Sequence, residues 1–186
     1  MFSGIVQAVG RIVRTQPLEV DAGGLDLSDV AVGDSICVQG ACLTVTSLTG
    51  RGFTADVSEE TLRVTAGLDR PAPVNLEKSL ALGDKLGGHL VTGHVDGVGE
   101  VVSRAGGVVA VRVPTGLRKY VAPKGSITLD GVSLTVNRAE GDIFEVNLIP
   151  HTLEVTTLGR LAPGVRVNLE VDLIARYLER IVSERR

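Results

Sequence analysis

Tryptophan is absent from the chain, and only 3% of its 186 residues are aromatic. The apolar residues are chiefly valine and leucine, a mixture that suits strands better than long helices. The 23 glycines agree with a chain that turns often. We therefore expect an all-β or strongly β-rich fold.

The sequence also lacks a large excess of charge of either sign, with a formal net charge of −3. This excludes the strongly basic surface that is typical of nucleic-acid-binding proteins. No segment approaches the roughly 18 apolar residues that a membrane helix needs, so we expect no membrane partner. No basic residue precedes Arg11, unlike in a secretory signal, and a cytoplasmic location is expected.

Cysteine is scarce, because Cys37 and Cys42 are the only two. They lie five residues apart in a run that resembles a strand, where a disulfide would need a sharp reversal of the chain. A metal site would need more ligands than these cysteines offer, and the chain has only three histidines. Phosphate-binding Gly-x-x-x-x-Gly-Lys-Ser/Thr loops and Gly-x-Ser-x-Gly elbows are also missing. We expect a reduced protein without a metal or a cofactor.

What the sequence does contain is an internal repeat. Residues 35–45 match residues 126–136, because Ser-Ile, a central glycine and a final Leu-Thr-Val recur in register. Further matches pair residues 3–10 with 92–99, 53–65 with 144–156, and 74–77 with 167–170. The offset drifts only from 89 to 93 residues, which is too long for a solenoid unit and indicates a duplicated domain.

The repeat predicts two domains, at 1–86 and 87–172, followed by a tail at 173–186. Short strands with turn signals fill each half. The pair Asp130-Gly131 favours a tight type I′ hairpin turn, and Gln39-Gly40 is its weaker counterpart. Several short strands in each half suggest a small closed barrel, because closure leaves no strand edge exposed.

Helical signals are few. Ser58 is a candidate N-cap for a short helix through Arg63, and Pro150 is placed to begin its equivalent. In the tail, apolar and charged residues occupy opposite helical faces. The apolar face comprises Leu173, Ile174, Tyr177, Leu178 and Ile181, and the charged face comprises Arg176, Glu179 and Arg180. This pattern leaves two alternatives open, namely contact with another chain and docking on the chain's own barrel.

Matched positions that differ between the halves are candidates for function. Cys42 matches Ser133, so each half presents a small nucleophilic or hydrogen-bonding group just after the hairpin turn. The alternative is that Cys42 is simply a small core residue. Asp130 matches Gln39, but an aspartate before a glycine is common in turns. Asp172 is a candidate N-cap for the tail helix.

His94 matches Ile5, so a histidine replaces an aliphatic residue where the repeat breaks. His89 lies five residues earlier, and this spacing on a strand would place the two rings on opposite faces, which makes them poor joint metal ligands. Either histidine is suited to acid–base chemistry near neutral pH. The alternative is a hydrogen-bonded histidine at the domain junction.

Several segments resemble the riboflavin synthase family, which disproportionates lumazines. They are residues 1–6, 40–45, 87–97, 124–126, 130–136 and 148–154. The Gly-Gly-His…Gly-His block combined with the doubled Leu-Thr-Val block is the most specific part of the resemblance. It extends from Met1 to the tail helix.

The resemblance implies two tandem six-stranded Greek-key β-barrels, a C-terminal helix and a homotrimer held largely by these helices. It implies that two molecules of 6,7-dimethyl-8-ribityllumazine exchange a four-carbon unit without a cofactor. The products are riboflavin and 5-amino-6-ribitylamino-uracil. The active site would lie between the N-terminal barrel of one chain and the C-terminal barrel of the next. Association with lumazine synthase, the preceding enzyme, is left open.

The resemblance also implies site residues. The first barrel would bind substrate with Gly4, Ile5, Val6, Cys42, Leu43, Thr44, Asp56, Val57, Ser58, Glu59, Glu60 and Thr61. The second barrel would use Gly93, His94, Val95, Lys124, Val132, Ser133, Leu134, Asn147, Leu148, Ile149, Pro150, His151 and Thr152. Catalytic support would come from Cys42, His94, Ser133, Thr135, Ser35, Phe2 and Asp172.

Two other functions fit parts of the pattern. Non-catalytic relatives hold a lumazine or flavin as a light-emitting antenna, but the reactive residues retained here favour an enzyme. A flavin-binding reductase module uses a related barrel and normally needs a nucleotide domain, which we do not find in the sequence.

Overall fold

A computed structural model describes residues 1–184 and shows two closed antiparallel β-barrels of six strands each. The first barrel contains β1 (Ala8–Thr15), β2 (Leu18–Asp21), β3 (Ser35–Val38), β4 (Ala41–Leu48), β5 (Gly52–Ala55) and β6 (Pro73–Lys78). Helix α1 (Glu59–Val64) lies between β5 and β6. The strands are ordered β1-β2-β5-β4-β3-β6 around the barrel.

The second barrel repeats this arrangement. It contains β7 (Gly97–Ala105), β8 (Val108–Arg112), β9 (Ser126–Leu129), β10 (Val132–Glu140), β11 (Ile143–Asn147) and β12 (Arg166–Val171). Helix α2 (Pro150–Val155) and short 3-10 helices at Arg118–Tyr120 and Thr157–Arg160 complete it. Its strands are ordered β10-β11-β8-β7-β12-β9 around the barrel. When β7 to β12 are matched in turn with β1 to β6, each strand has the same two neighbours as its counterpart in the first barrel. The predicted all-β fold of two similar six-stranded barrels is confirmed.

Each barrel has its own apolar core. Phe53 on β5 and Phe144 on β11 occupy equivalent places and are almost completely buried. Burying one such side chain stabilises the fold by roughly 2 kcal/mol relative to leaving it in water. The repeat therefore corresponds to two separately filled barrels. The predicted division at residues 86 and 87 falls between Lys78 and Gly97, outside the barrel strands, and stays a prediction.

The two predicted hairpin turns are present and lie against each other. Gln39 and Gly40 have φ values of 50° and 90°, and Asp130 and Gly131 have values of 49° and 80°, as a type I′ turn requires. A Cβ atom on Gly40 would lie 3.0 Å from the Gly131 nitrogen, so a side chain there would crowd the opposite turn. These turns form part of the barrel junction.

The first turn also changes the interpretation of the cysteines. The chain reverses at the predicted turn Gln39-Gly40, which lies within the run that contains both cysteines. Cys37 and Cys42 are therefore cross-strand partners in β3 and β4. Both thiols are free, with Cys37 buried and Cys42 partly buried.

Side-chain amides join the barrels around these turns. The Asn75 Nδ2 atom donates to the Asp130 carbonyl oxygen at 2.9 Å, and the Asn168 Nδ2 atom donates to the Gln39 carbonyl oxygen at 2.9 Å. The Asn168 backbone N–H donates to Asp130 Oδ1 at 2.8 Å. Asn75 and Asn168 occupy matched positions, so the junction repeats the symmetry of the sequence.

The C-terminal helix α3 (Leu173–Ser183) begins at the predicted N-cap, where Asp172 Oδ1 accepts a hydrogen bond from the Ile174 N–H at 2.9 Å. Ser58 likewise caps α1, accepting from the Thr61 N–H at 3.1 Å. The last part of the tail predicted at 173–186, residues 185 and 186, lies outside the described residues. Across residues 1–184, none of the helices combines the length and apolar character needed to cross a membrane.

Asp130 makes the junction sensitive to pH. Burial raises its pKa from 3.8 to about 7, although hydrogen bonds from Asn168 and Gln39 oppose this effect. A pKa raised on folding means that the unfolded chain releases the proton first as pH rises. This group should therefore lower the free energy of unfolding between about pH 4 and 7, by at most about 4 kcal/mol.

We expect Asp130→Asn to remove this dependence, because asparagine tolerates positive φ and keeps an acceptor for the Asn168 N–H. Urea denaturation of both proteins should show the variant gaining stability relative to the wild type as pH rises from about 4 to about 7. A constant difference between the two proteins from acid to mildly alkaline pH would contradict this interpretation of Asp130.

Candidate active site

Two chain segments cross between the barrels. The Phe2 N–H donates to the Val91 carbonyl oxygen at 2.8 Å, and the Val91 N–H donates to the Phe2 carbonyl oxygen at 3.1 Å. Both side chains are fully buried in a small apolar cluster with Cys37, and Cys42 packs against it. We call residues 2–6 and 91–95 the crossing segments.

Each crossing segment contacts a strand of the other barrel: residues 2–6 contact the second barrel, and residues 91–95 contact the first. The Ser133 N–H on β10 donates to the Gly4 carbonyl oxygen, and the Cys42 N–H on β4 donates to the Gly93 carbonyl oxygen, both at 2.8 Å. Gly4 and Gly93 have φ of +76°, and a Cβ atom on either would lie 2.6 Å from the facing Ser133 or Cys42 Cβ. Only glycine fits this approach.

The expected grouping of the site residues is therefore wrong. The resemblance was taken to place residues 4–6 with Cys42 and residues 93–95 with Ser133. Instead, Val6 packs against the core of the second barrel, and Val95 packs against the core of the first. The physical reason is the crossing, which carries each segment past its own barrel before β1 or β7 begins.

A cavity of about 550 Å³ opens beside Cys42, and we call it the first pocket. Its walls come from β4, α1 and the crossing segment 91–95. The lining residues are Ala41, Cys42, Glu60, Thr61, Arg63, Val64, Thr65, Gly93, His94, Val95 and Asp96. Six of these were predicted from the resemblance, and the structure brings them together from both halves of the chain.

Arg63, Thr65 and Asp96 in this lining were not predicted. Arg63 forms an ion pair with Glu60 three residues earlier, at 2.5 Å, and such a pair looks like ordinary helix-surface chemistry in the sequence. Asp96 accepts a hydrogen bond from the Val171 N–H at 2.8 Å, a contact that only the tertiary fold creates.

Strand alternation decides which predicted residues can offer a side chain to a ligand. On β4 and β10, Cys42 and Ser133 point away from the barrel interior, as do Thr44 and Thr135 two residues later. Ser35 on β3 is the cross-strand partner of Thr44. Leu43, Val132 and Leu148 are buried in the barrel cores, so these residues can contribute only backbone groups, whereas Val57 and Leu134 are partly buried and pack against the cores.

By the repeat, the place equivalent to the first pocket is where Ser133 meets the crossing segment 2–6, and we use the name second pocket for these residues. His89 Nδ1 lies 2.7 Å from Ser133 Oγ. The other ring nitrogen, Nε2, is buried and has no hydrogen-bond partner among residues 1–184. A buried polar nitrogen without a partner is costly.

Burial lowers the pKa of the His89 imidazole, and the charge of Asp172 partly opposes this by raising it. The ring is therefore neutral at physiological pH. A neutral imidazole in contact with a hydroxyl can accept its proton, and a nearby carboxylate stabilises the imidazolium that forms. The arrangement of Ser133, His89 and Asp172 is thus able to move a proton at the second pocket.

Sequence reasoning selected His94 and left His89 open. The structure brings each histidine to a different pocket, because His94 is exposed in the wall of the first pocket and His89 contacts Ser133. The local signal for His89 was the preceding Gly87-Gly88. A Cβ atom on Gly88 would lie 2.1 Å from the Ser3 carbonyl oxygen and 2.7 Å from the Ser133 Cβ, so this close approach requires glycine.

The remaining predicted residues are Phe2, Lys124 and the two segments that enter helices α1 and α2. Phe2 is completely buried at the crossing, and its catalytic role stays a prediction. Lys124 is exposed and has a φ of +68°. Its backbone N–H donates to the carbonyl oxygen of Val136 on β10. Residues 56–61 lead from β5 into α1, and residues 147–152 lead from β11 into α2.

Comparison with known proteins agrees with this architecture. The lumazine binding domain family matches residues 3–79 and 92–172. Riboflavin synthase from Mycobacterium tuberculosis (strain ATCC 25618 / H37Rv) is 49% identical, and the alignment covers 98% of both chains. The enzyme from Photobacterium leiognathi is 44% identical over 98% of this chain and 89% of its own length.

Solved structures of LumP are also similar. LumP complexed with riboflavin superposes with a TM-score of 0.82 at 27% identity, covering 92% of this chain and 99% of the other. LumP complexed with 6,7-dimethyl-8-(1'-D-ribityl) lumazine gives a TM-score of 0.78 with the same coverage. The fold and the family match thus define a protein with two lumazine-binding domains. The chain belongs to the riboflavin synthase family.

The electrostatic link between Asp172 and His89 can be tested directly. We expect Asp172→Asn to lower the pKa of His89 further, because it removes the charge that stabilises the imidazolium, while asparagine still caps α3. NMR titration of the histidine rings would measure this. His94 and His151 report any change that affects the whole protein. An unchanged or higher pKa for His89 would refute the link.

Proposed function

We propose that this protein is a riboflavin synthase, which transfers a four-carbon unit between two molecules of 6,7-dimethyl-8-ribityllumazine. The observation that carries the proposal is the pair of repeat-related contacts at which the crossing segments meet Cys42 and Ser133, the first of which borders a cavity of about 550 Å³. Two similar pockets suit a reaction that uses two copies of one substrate. Family membership supports the same conclusion.

The reaction needs no further reactant, because the two products together contain all the atoms of the two substrates. One lumazine loses a proton from its 7-methyl group and becomes the nucleophile, and the other is attacked at C7. Transfer of the four-carbon unit then yields riboflavin and 5-amino-6-ribitylamino-uracil. Holding both substrates together replaces a bimolecular encounter and should supply much of the acceleration.

Proton transfer falls to the second pocket in this proposal. The neutral His89 ring accepts a proton through Ser133 Oγ, and Asp172 stabilises the resulting charge. The first pocket contains Cys42 and His94 and presents no histidine in hydrogen-bond contact with the thiol within the described part of the chain. The two pockets therefore treat two identical substrates unequally.

Ring recognition would depend largely on backbone groups. Both pockets are framed by strand and crossing-segment backbone, and aromatic residues form only 3% of the chain. Fixed backbone donors and acceptors can recognise the polar edge of a pteridine without aromatic stacking. The predicted binding residues whose side chains point into the barrel cores could still bind the ring through their backbone N–H and carbonyl groups.

Helix α3 supports self-association as part of the proposal. Two residues of its charged side face the chain's own barrel, where Arg176 binds Asp96 at 2.8 Å and Glu179 binds Lys119 at 2.6 Å. Its apolar residues point outward instead, and Ile174, Tyr177 and Leu178 are 69%, 63% and 59% exposed. Such a surface suits burial between copies of the chain. A homotrimer would place the first pocket of one chain opposite the second pocket of the next.

A cytoplasmic location completes the proposal, because reducing conditions suit two adjacent free thiols.

The activity can be tested with the purified protein and 6,7-dimethyl-8-ribityllumazine alone. We expect riboflavin to form, as followed by its absorbance. Ser133→Ala and His89→Gln should each lower kcat by roughly a hundredfold or more, because each removes part of the proton path. Ser28→Ala, in a loop outside both pockets, is the control. Binding of the lumazine without any riboflavin would reject the enzyme and support a ligand-binding protein.

The assembly can be tested with the double variant Tyr177→Lys, Ile181→Lys, which places two charges on the exposed apolar face of α3. We expect sedimentation analysis to show a monomer and activity to fall with it, since each active site needs two chains. Arg180→Gln, on the charged side of α3, should leave the assembly unchanged. An unaltered sedimentation coefficient for the double variant would contradict assembly through this face.

A further inference from the structure

A buried glutamate anchors the first crossing segment. Glu77 on β6 is only 3% exposed. Its Oε1 atom accepts hydrogen bonds from the Ser3 N–H at 2.7 Å and from the Ser3 hydroxyl at 2.8 Å. Its Oε2 atom accepts a bond from the Gly4 N–H at 3.0 Å. The carboxylate thus binds three donors of one segment.

Glu170 on β12 makes the same contacts with the other segment. It is 2% exposed. Its Oε1 atom accepts from the Thr92 N–H at 2.7 Å and from the Thr92 hydroxyl at 2.6 Å, and its Oε2 atom accepts from the Gly93 N–H at 2.9 Å. Neither glutamate forms an ion pair with a lysine or arginine in residues 1–184.

These anchors act across the barrel junction. Glu77 belongs to the first barrel, but the segment that it holds contacts Ser133 in the second. Glu170 belongs to the second barrel, but its segment contacts Cys42 in the first. We propose that Glu77 is a positioning residue for the second pocket and Glu170 is a positioning residue for the first.

The inference rests on the proposed function only for what the pockets bind, because the crosswise geometry itself needs no substrate. Burial raises the pKa of both glutamates, and the bonds from the crossing segments oppose this effect. Hydrogen bonds to an ionised acceptor are stronger than those to a neutral one, so each carboxylate can hold its segment against the facing strand. A glutamine of the same shape would keep one acceptor and place an amide beside the remaining donor.

The Cys42 thiol offers a readout that requires neither substrate nor activity. It is partly buried, with Gly93 packed closely against it, whereas Cys37 is 2% exposed. We expect Glu170→Gln to accelerate modification of Cys42 by a thiol-specific disulfide reagent by about tenfold, because losing charged hydrogen bonds releases the segment that covers it. Glu77→Gln should leave the rate unchanged.

The two glutamine variants are matched controls, since each removes the same set of contacts at equivalent positions. Cys42→Ser should abolish the fast reaction and so identify the thiol. Equal acceleration in both variants would show general loosening, and no acceleration in either would show that the anchors are dispensable. Either result overturns the proposal. If a glutamine variant fails to fold, the Glu77→Asp and Glu170→Asp pair applies the same comparison.

Activity provides the second comparison. In double-mutant cycles on kcat/KM, Glu170→Gln should be coupled to Cys42→Ala, and Glu77→Gln should be coupled to Ser133→Ala. The opposite combinations should be close to additive, because their residues serve different pockets. Coupling of the opposite combinations would reject the crosswise assignment. Absence of synthase activity with a crosswise thiol result would reject the proposed function and leave the positioning roles intact.

Discussion

The backbone pairing of Phe2 with Val91 is the contact on which the arrangement of the two pockets depends. A closed barrel has no free strand edge, so two such barrels cannot join by extending a shared sheet. The chain instead pairs two segments that lie outside the barrels, at positions related by the repeat. Phe2 and Val91 exchange hydrogen bonds in both directions, and beyond this bridge each segment continues separately to its own pocket.

The two pockets have equivalent backbone frames but different reactive side chains. Each frame consists of an outward-facing strand residue and a glycine of the opposite segment. The residue is a thiol at Cys42 and a hydroxyl at Ser133, and only Ser133 contacts His89. A duplicated fold thus holds two copies of one ligand in similar frames while presenting different reactive groups to them. Such asymmetry is what a reaction between identical molecules requires.

Much of the fold could be predicted because its signals are local. The Asp130-Gly131 turn, the Asp172 cap and the strand alternation each depend on a few neighbouring residues. The crossing could not be predicted, since residues 3–10 and 92–99 would look the same whether each segment stayed on its own barrel or changed sides. The Ser133–His89 contact joins residues 44 apart, and no local period indicates which histidine makes it. Family resemblance named most of the pocket residues but not their partners.

Asp96 connects the first pocket to the surface of α3. It lines the pocket, accepts the Val171 N–H just before the helix, and binds Arg176 through both carboxylate oxygens, at 2.8 and 2.9 Å. The Asp96 side chain is only 10% exposed, so its ion pair with Arg176 is better shielded from solvent than a surface pair. It fixes the rotation of α3, so that the apolar face of the helix points away from the barrel. The same carboxylate therefore helps to set both the pocket wall and the direction in which a second chain can approach.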